Sequence, residues 1–336
     1  MTLLVGSAPQ LRCLEYWTQL DPYETSSLVE QLPATNGQLT QLTSLTLGQV
    51  DPAQIISMLQ GLPSLLYLYL DCKESKTELH CLSDIARSCP ALMHLNITGA
   101  LLEDVPSEIG DLRSLTRLCI KDCDIDTVSD SISQLTGLLD LDFFEMFLTG
   151  PTVLAALRQL TSLKLSDDGP ELPSLKCLRS LAVGICEEGV PTYFTQLTEL
   201  THLCLHFEIS CPCPEMAGMT RLRRVEIHGY RLPQLLPGAY LCGVTNLYLQ
   251  DQYPRGVPAA LEAAVQLRVL SFGIDSTDLT EPDLVLLSQL PVLETLYISK
   301  PVSVSQQQWD TNTALLMTKR AALGHTPLVP HACRTD

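Results

Sequence analysis

The sequence predicts an α/β fold: a curved, horseshoe-like solenoid with a parallel β-sheet on its concave face and short helices, 3₁₀ turns and loops on its convex face. Three observations predict it. The phrase Leu-x-x-Leu-x-Leu, or a close apolar variant, recurs thirteen times, starting at residues 11, 42, 65, 92, 115, 138, 160, 178, 200, 222, 244, 267 and 293. The spacing hardly varies, at 22 or 23 residues from 92 to 160 and again from 178 to 267. Another apolar residue stands three places before each later copy: Leu39, Leu62, Cys89, Leu112, Leu135, Leu157, Leu175, Leu197, Met219, Leu241, Ala264 and Leu290. A unit this short buries its apolar face only against its neighbours, so the core grows lengthwise along the chain.

Each element follows from that register. Counting the first Leu of a phrase as position 1, positions 4 and 6 alternate with polar or variable residues, the period-two pattern of a strand buried on one face. Successive strands then pair in parallel, and the return segments pass over the outside. Returns 52–60, 82–88, 153–159, 259–265 and 283–289 read as helical, whereas 105–110, with its Pro and Gly, reads as 3₁₀ or extended. Helices are wider than strands, which puts the strands on the inner face. The array spans 11–300. Residues 1–10 are too few to cover its apolar edge, which implies upstream sequence or a pairing partner there. Residues 301–323 are expected to form a C-terminal capping helix with Trp309, Leu315 and Leu316 on one side, and 324–336, with two prolines, a frayed tail.

Over about residues 11–300 the phrase resembles the leucine-rich repeat family. The copy from Leu92 through Leu101, Val105-Pro106 and Ile109-Gly110 is most similar to its intracellular short-repeat members. The resemblance implies a recognition surface rather than an enzyme. One departure concerns position 9, where the family places Asn or Cys to tie neighbouring turns together. Here Cys123 and Cys186 stand there, but otherwise Val50, Lys73, Ala100, Met146, Asp168, Glu208, Tyr230, Gln252 or Asp275, and never Asn. Local irregularity is therefore expected.

Composition narrows the partners. With 46% hydrophobic and only 5% aromatic residues, aliphatic side chains must fill the core. The net charge of −17 repels nucleic-acid phosphates and anionic membrane surfaces, leaving another protein as the expected partner. The first residues lack the basic region of a secretory signal, and no apolar run has the length of a membrane span. Thirteen cysteines, an odd number scattered through the array, suit a reducing compartment, so the cytoplasm is expected, with the nucleus, cytoskeleton or axoneme as alternatives. The chain carries no phosphate-binding loop, no Gly-x-Ser-x-Gly elbow and no His-Glu-x-x-His helix, and no cofactor or small-molecule substrate is inferred. A monomer is expected unless the N-terminal edge pairs.

Positions 3 and 5 point from the concave face and vary from copy to copy, as a recognition surface requires. One cluster comprises Tyr67, Tyr69, His94, Arg117, Asp140, Asp142 and Phe144; His202, Arg224 and Tyr248 stand further along. Tyr and Arg anchor many interfaces because they bury large area and still hydrogen-bond. A second cluster places Cys204 and Glu226 at position 5, and His206 and His228 at position 7, of adjacent strands. A strand spacing of ~4.8 Å would gather the four into a square of zinc-ligand types, though a repeat also sets histidines side by side with no metal involved. Among weaker sets, Cys89 of Cys72, His80, Cys81 and Cys89 already fills a core position. Cys211-Pro-Cys213-Pro lacks the two-residue spacer of a metal or redox motif. The expected function is a non-enzymatic scaffold or adaptor that binds a protein on its concave face. The alternatives are the substrate-recognition part of a ubiquitin ligase, a cytoskeletal or axonemal subunit, or a metal-binding protein.

Overall fold

Positions 3 to 6 of the phrase become a strand wherever the computed structural model describes them, namely within residues 10–17, 39–48, 59–60, 62–72, 82–100, 102, 104–123, 125–144, 152–166, 172, 174–185, 192–207, 214–229, 235, 237–253, 256–274, 279–299 and 304–333. The chain divides into two compact units, Met1–Cys177 and Leu178–Asp336. The boundary falls at the shortest interval of the array, where only 18 residues separate Leu160 from Leu178.

The first unit contains β1 (Cys13–Trp17), β2 (Ser44–Gly48), β3 (Tyr67–Asp71), helix α1 (Leu82–Ser88), β4 (His94–Thr98), β5 (Asp104–Val105), β6 (Arg117–Lys121), β7 (Thr127–Val128), β8 (Asp140–Phe143) and β9 (Ser162–Leu165). Strands β1, β2, β3, β4, β6, β8 and β9 lie in that order, each parallel to the next. Their register joins like positions, so Leu45, Leu68, Leu95, Leu118, Leu141 and Leu163 form one row, fully buried. On the return side β5 and β7 add a short parallel pair of their own.

Two devices hold consecutive coils together. The carbonyl at position 2 accepts both the position-2 and position-3 N–H groups of the next copy: Thr43 and Ser44 donate to Arg12, Leu66 and Tyr67 to Thr43, Thr116 and Arg117 to Met93, and so on along the chain. Where position 2 is Thr, its hydroxyl adds a third bond to the same carbonyl, as at Thr43, Thr116, Thr161, Thr201 and Thr245 (3.0–3.1 Å). This ladder keeps the register in a chain that has no Asn at position 9. The second device is the apolar residue three places before position 1. Its carbonyl accepts from the position-1 N–H (Leu115 to Leu112, Leu138 to Leu135, Leu160 to Leu157), closing a 3₁₀ turn that delivers both side chains to the core.

Long intervals favour an α-helix, although Leu59, in the 23-residue interval from Leu42 to Leu65, is α-helical too. Two of the three intervals longer than 23 residues, 27 from Leu65 to Leu92 and 26 from Leu267 to Leu293, hold α1 and α2 (Glu281–Gln289). Returns of 22 or 23 residues hold five-residue 3₁₀ segments, such as Ser107–Asp111, Asp130–Gln134 and Thr192–Gln196. The expected helices at 153–159 and 259–265 are accordingly 3₁₀ segments, Thr152–Ala156 and Ala259–Ala263. Most of the helix expected at 52–60 lies outside the described residues.

The second unit contains β10 (Ser180–Ile185), β11 (His202–Phe207), β12 (Arg224–Gly229), β13 (Asn246–Tyr253), β14 (Val269–Ile274), α2, β15 (Thr295–Ser299), helix α3 (Gln306–Ala322) and β16 (Val329–Cys333). Its strands pair in parallel in sequence order, with one register shift between Leu249 and Gln252. Helix α3 packs on α2 and buries Trp309, Asn312, Leu316 and Arg320. Leu315 is not part of that face and is 41% exposed. At about 100° per residue it sits roughly a third of a turn away from Trp309, while Leu316 returns to the same side. Nor does the chain end in a tail after 324, because β16 pairs with the edge of β15, whose backbone groups would otherwise lack partners. Among the described residues no helix is long and apolar enough to cross a membrane.

Two polar groups fix this end. The buried Arg320 guanidinium donates to the carbonyls of Leu287 (3.2 Å), Leu290 (2.8 Å), Leu293 (2.7 Å) and Thr326 (3.0 Å). It thereby caps the negative C-terminal end of α2 and ties α3 to it. Asp283 accepts from the N–H groups of Val257 and Thr280 (both 2.8 Å), closing a capping box on α2 and clamping the preceding return.

Candidate functional site

The side chains at positions 3 and 5 lie on the sheet face opposite the core. In the first unit the register sets Tyr67, His94, Arg117, Asp140 and Ser162 in one row, and Tyr69, Asn96, Cys119, Asp142 and Lys164 in the next. Tyr67 meets His94 edge-on, with ring centroids 5.9 Å apart. Arg117 pairs with Asp140 at 3.0 Å and is still 58% exposed. This row presents an aromatic group, an imidazole and a cation to solvent.

The neighbouring row differs from the sequence expectation. Asp142 is not an open contact. It is 6% exposed, with Lys121 and Lys164 on the same Oδ2 atom at 3.0 and 2.9 Å, while Oδ1 accepts from the Phe144 N–H. The two lysines therefore belong to the surface, and a repeat-by-repeat reading of position 5 missed Lys121 because it stands at position 7. Cys119, also at position 5, is buried, and desolvation followed by the Asp142 charge pushes its thiol up to about 11.

In the second unit the register joins Arg224 with His202 on one side and Asn246 on the other. Arg224 lies over the Tyr248 ring, 4.7 Å from its centroid, and donates from Nε to Glu226. That carboxylate raises the guanidinium's already high pKa. His202 is exposed, its Nδ1 2.8 Å from Thr201 Oγ1.

Beside them, three of the four members of the sequence square converge. Cys204 Sγ is 3.3 Å from His206 Nε2, and the His206 and His228 rings stack with centroids 4.4 Å apart and planes 10° from parallel. One donor atom from each of Cys204, His206 and His228 lies within 4.8 Å of the others. Glu226 stands outside the group: its Oε2 is 3.8 Å from His228 Nε2, while Oε1 is held by Arg224. Burial, then the neighbouring His228, lowers the pKa of His206, so the neutral imidazole is favoured. Of the weaker sets, Cys72 and Cys89 are fully buried core residues, and His80, Cys81, Cys211 and Cys213 lie outside the described residues.

Neither a protein-family model nor a curated protein sequence matches the chain. Solved structures do. TLR13 in complex with ssRNA13 superposes at a TM-score of 0.61 and 22% identity, over 88% of this chain and 44% of that one. An internalin, InlF, from Listeria monocytogenes gives 0.51 at 20% identity, over 84% and 74% of the two chains. A leucine-rich repeat protein from Leptospira interrogans gives 0.51 at 17% identity, over 93% and 95%. Identities this low speak to the fold alone. Together with the repeat register and the parallel ladder, they show that the chain has the leucine-rich repeat fold, an α/β solenoid.

Proposed function

We propose that the chain is a non-enzymatic protein-recognition module that binds a protein partner on the open face of its strands. The observation that carries this reading is the row Tyr67–His94–Arg117–Asp140: unlike side chains presented at one position of successive strands by a backbone ladder whose register does not vary. Such a surface is rigid before binding, so little ordering cost opposes association. Among solved structures of the same fold, the Arabidopsis receptor kinase HAESA is in complex with the peptide hormone IDA and the co-receptor SERK1, at a TM-score of 0.50 and 16% identity. A protein or peptide partner is also favoured over nucleic acid by the net charge of −17. The burial of Cys72, Cys89 and Cys123 as core packing supports a reducing, cytoplasmic setting.

The test is affinity capture from native lysate with quantitative mass spectrometry. It compares the wild type, a Tyr67→Ala/Arg117→Ala variant, and an Arg113→Ala/Arg158→Ala control at exposed turns between strands. A partner depleted about 30-fold or more in the first variant and retained by the control supports the reading, since interface anchors each carry roughly 2 kcal/mol or more. Depletion by the control alone would move the site to the return face.

A further inference from the structure

We propose that Cys204, His206 and His228 form a binding site for one zinc-class transition-metal ion, set in the face of β11 and β12. Tetrahedral zinc with Zn–S near 2.3 Å and Zn–N near 2.0 Å places its ligand atoms about 3.5 Å apart. Cys204 Sγ and His206 Nε2 are already 3.3 Å apart, and the His228 donor lies within 4.8 Å of both, so side-chain adjustments of about 1 Å complete the set. The chemistry agrees: one thiolate and two imidazoles are donors that zinc prefers over the oxygen sets of calcium or magnesium.

The surroundings shape the site. On the β10 side the residues in register with Cys204 and His206 are Ala182 and Gly184, both buried. On the other side, Arg224 and Tyr248 stack into a wall and hold Glu226 beside His228. The ion would thus have three protein ligands and a fourth position for water or for a group from a bound partner. Glu226 Oε2, 3.8 Å from His228 Nε2, adds negative charge beside the site. The thiol proton leaves to solvent when the ion binds.

The test is a titration of metal-stripped, full-length protein with Co²⁺ under reducing conditions, followed by back-titration with Zn²⁺. One equivalent of Co²⁺ is expected to give visible ligand-field absorption and a near-ultraviolet thiolate-to-cobalt band, both abolished by Zn²⁺. Loss of an outer-sphere partner typically weakens a site about 10–100-fold, so Cys204→Ala or His228→Ala should weaken binding at least about 100-fold. Cys242→Ala and His202→Ala, which alter an exposed thiol and an exposed imidazole, should leave it unchanged. Circular dichroism of each variant separates ligand loss from misfolding. As a second readout on unmutated protein, Zn²⁺ should protect Cys204, and not Cys242, from alkylation. Absence of the thiolate band in wild type, its survival in Cys204→Ala, or no protection of Cys204 would overturn the assignment.

Discussion

Replacing Arg320 by Met removes a charge and its donors while keeping most of the side-chain volume, which isolates what the guanidinium contributes. In the native protein its two terminal nitrogens donate to four carbonyls at 2.7–3.2 Å, and the side chain is almost fully buried. Hydrogen bonds from a charged donor contribute about 1.5–3 kcal/mol each, and an orphaned buried carbonyl costs about 1–3 kcal/mol. The contributions are not additive, because the desolvated cation is itself costly; burial lowers the Arg320 pKa for that reason. The carbonyls left without donors set the cost, offset by relief of the desolvated cation, and Arg320→Met should lose about 3–5 kcal/mol. Arg320→Lys, with a charge but fewer donors, should lose less. In a repeat array the damage stays near its origin. Native-state hydrogen exchange should therefore lose protection first in α2, α3 and the β15–β16 pair, while the first unit keeps its own. Urea unfolding that puts Arg320→Met within about 1 kcal/mol of wild type would refute the reasoning, as would protection lost evenly along the chain.

Four further outcomes rest on the same structure. Asp283→Ala opens the capping box and strands the Val257 N–H, and should cost about 2–4 kcal/mol by thermal or urea unfolding. Thr161→Val and Thr245→Val each delete one hydroxyl bond to the position-2 carbonyl while keeping the shape; each should cost about 0.5–1.5 kcal/mol, and the two should add because they sit in different units. Burial pushes the Cys89 thiol up to about 12 from 9.0 and the Cys119 thiol up to about 11. Folded protein thus binds more protons than unfolded protein above pH 9.0, so these thiols make stability fall as pH rises from there toward 11–12. In native protein at pH 8 the exposed Cys13, Cys177 and Cys242 should alkylate well before Cys89 and Cys119.

Much of the fold is legible in the sequence because every buried row follows from one register. The Leu45-to-Leu163 row and the 3₁₀ turns closed at Leu112, Leu135 and Leu157 are the period itself, seen in three dimensions. Helix type was less legible from composition than from spacing. Ala-rich 259–265 reads as helical, yet its 23-residue interval holds a 3₁₀ segment, while the 26- and 27-residue intervals hold α2 and α1. The tie between coils was sought at position 9, whereas the recurring Thr at position 2 signalled where it lies. The candidate surface was partly legible. Strand register brought Tyr67 to His94 and His206 to His228, as position counting requires. Counting cannot show that Asp142 turns inward between two lysines or that Glu226 is drawn off by Arg224, because those outcomes depend on competition among charges across strands.

The central claim is that the open strand face, and not the return face, recognises a partner. It is tested most directly by placing a photocrosslinking phenylalanine analogue at Tyr69, within that face, or at Gln134, exposed on a return. Irradiation in native lysate should join the captured partner to the position-69 protein and not to the position-134 protein. Crosslinking from position 134 alone would contradict the account.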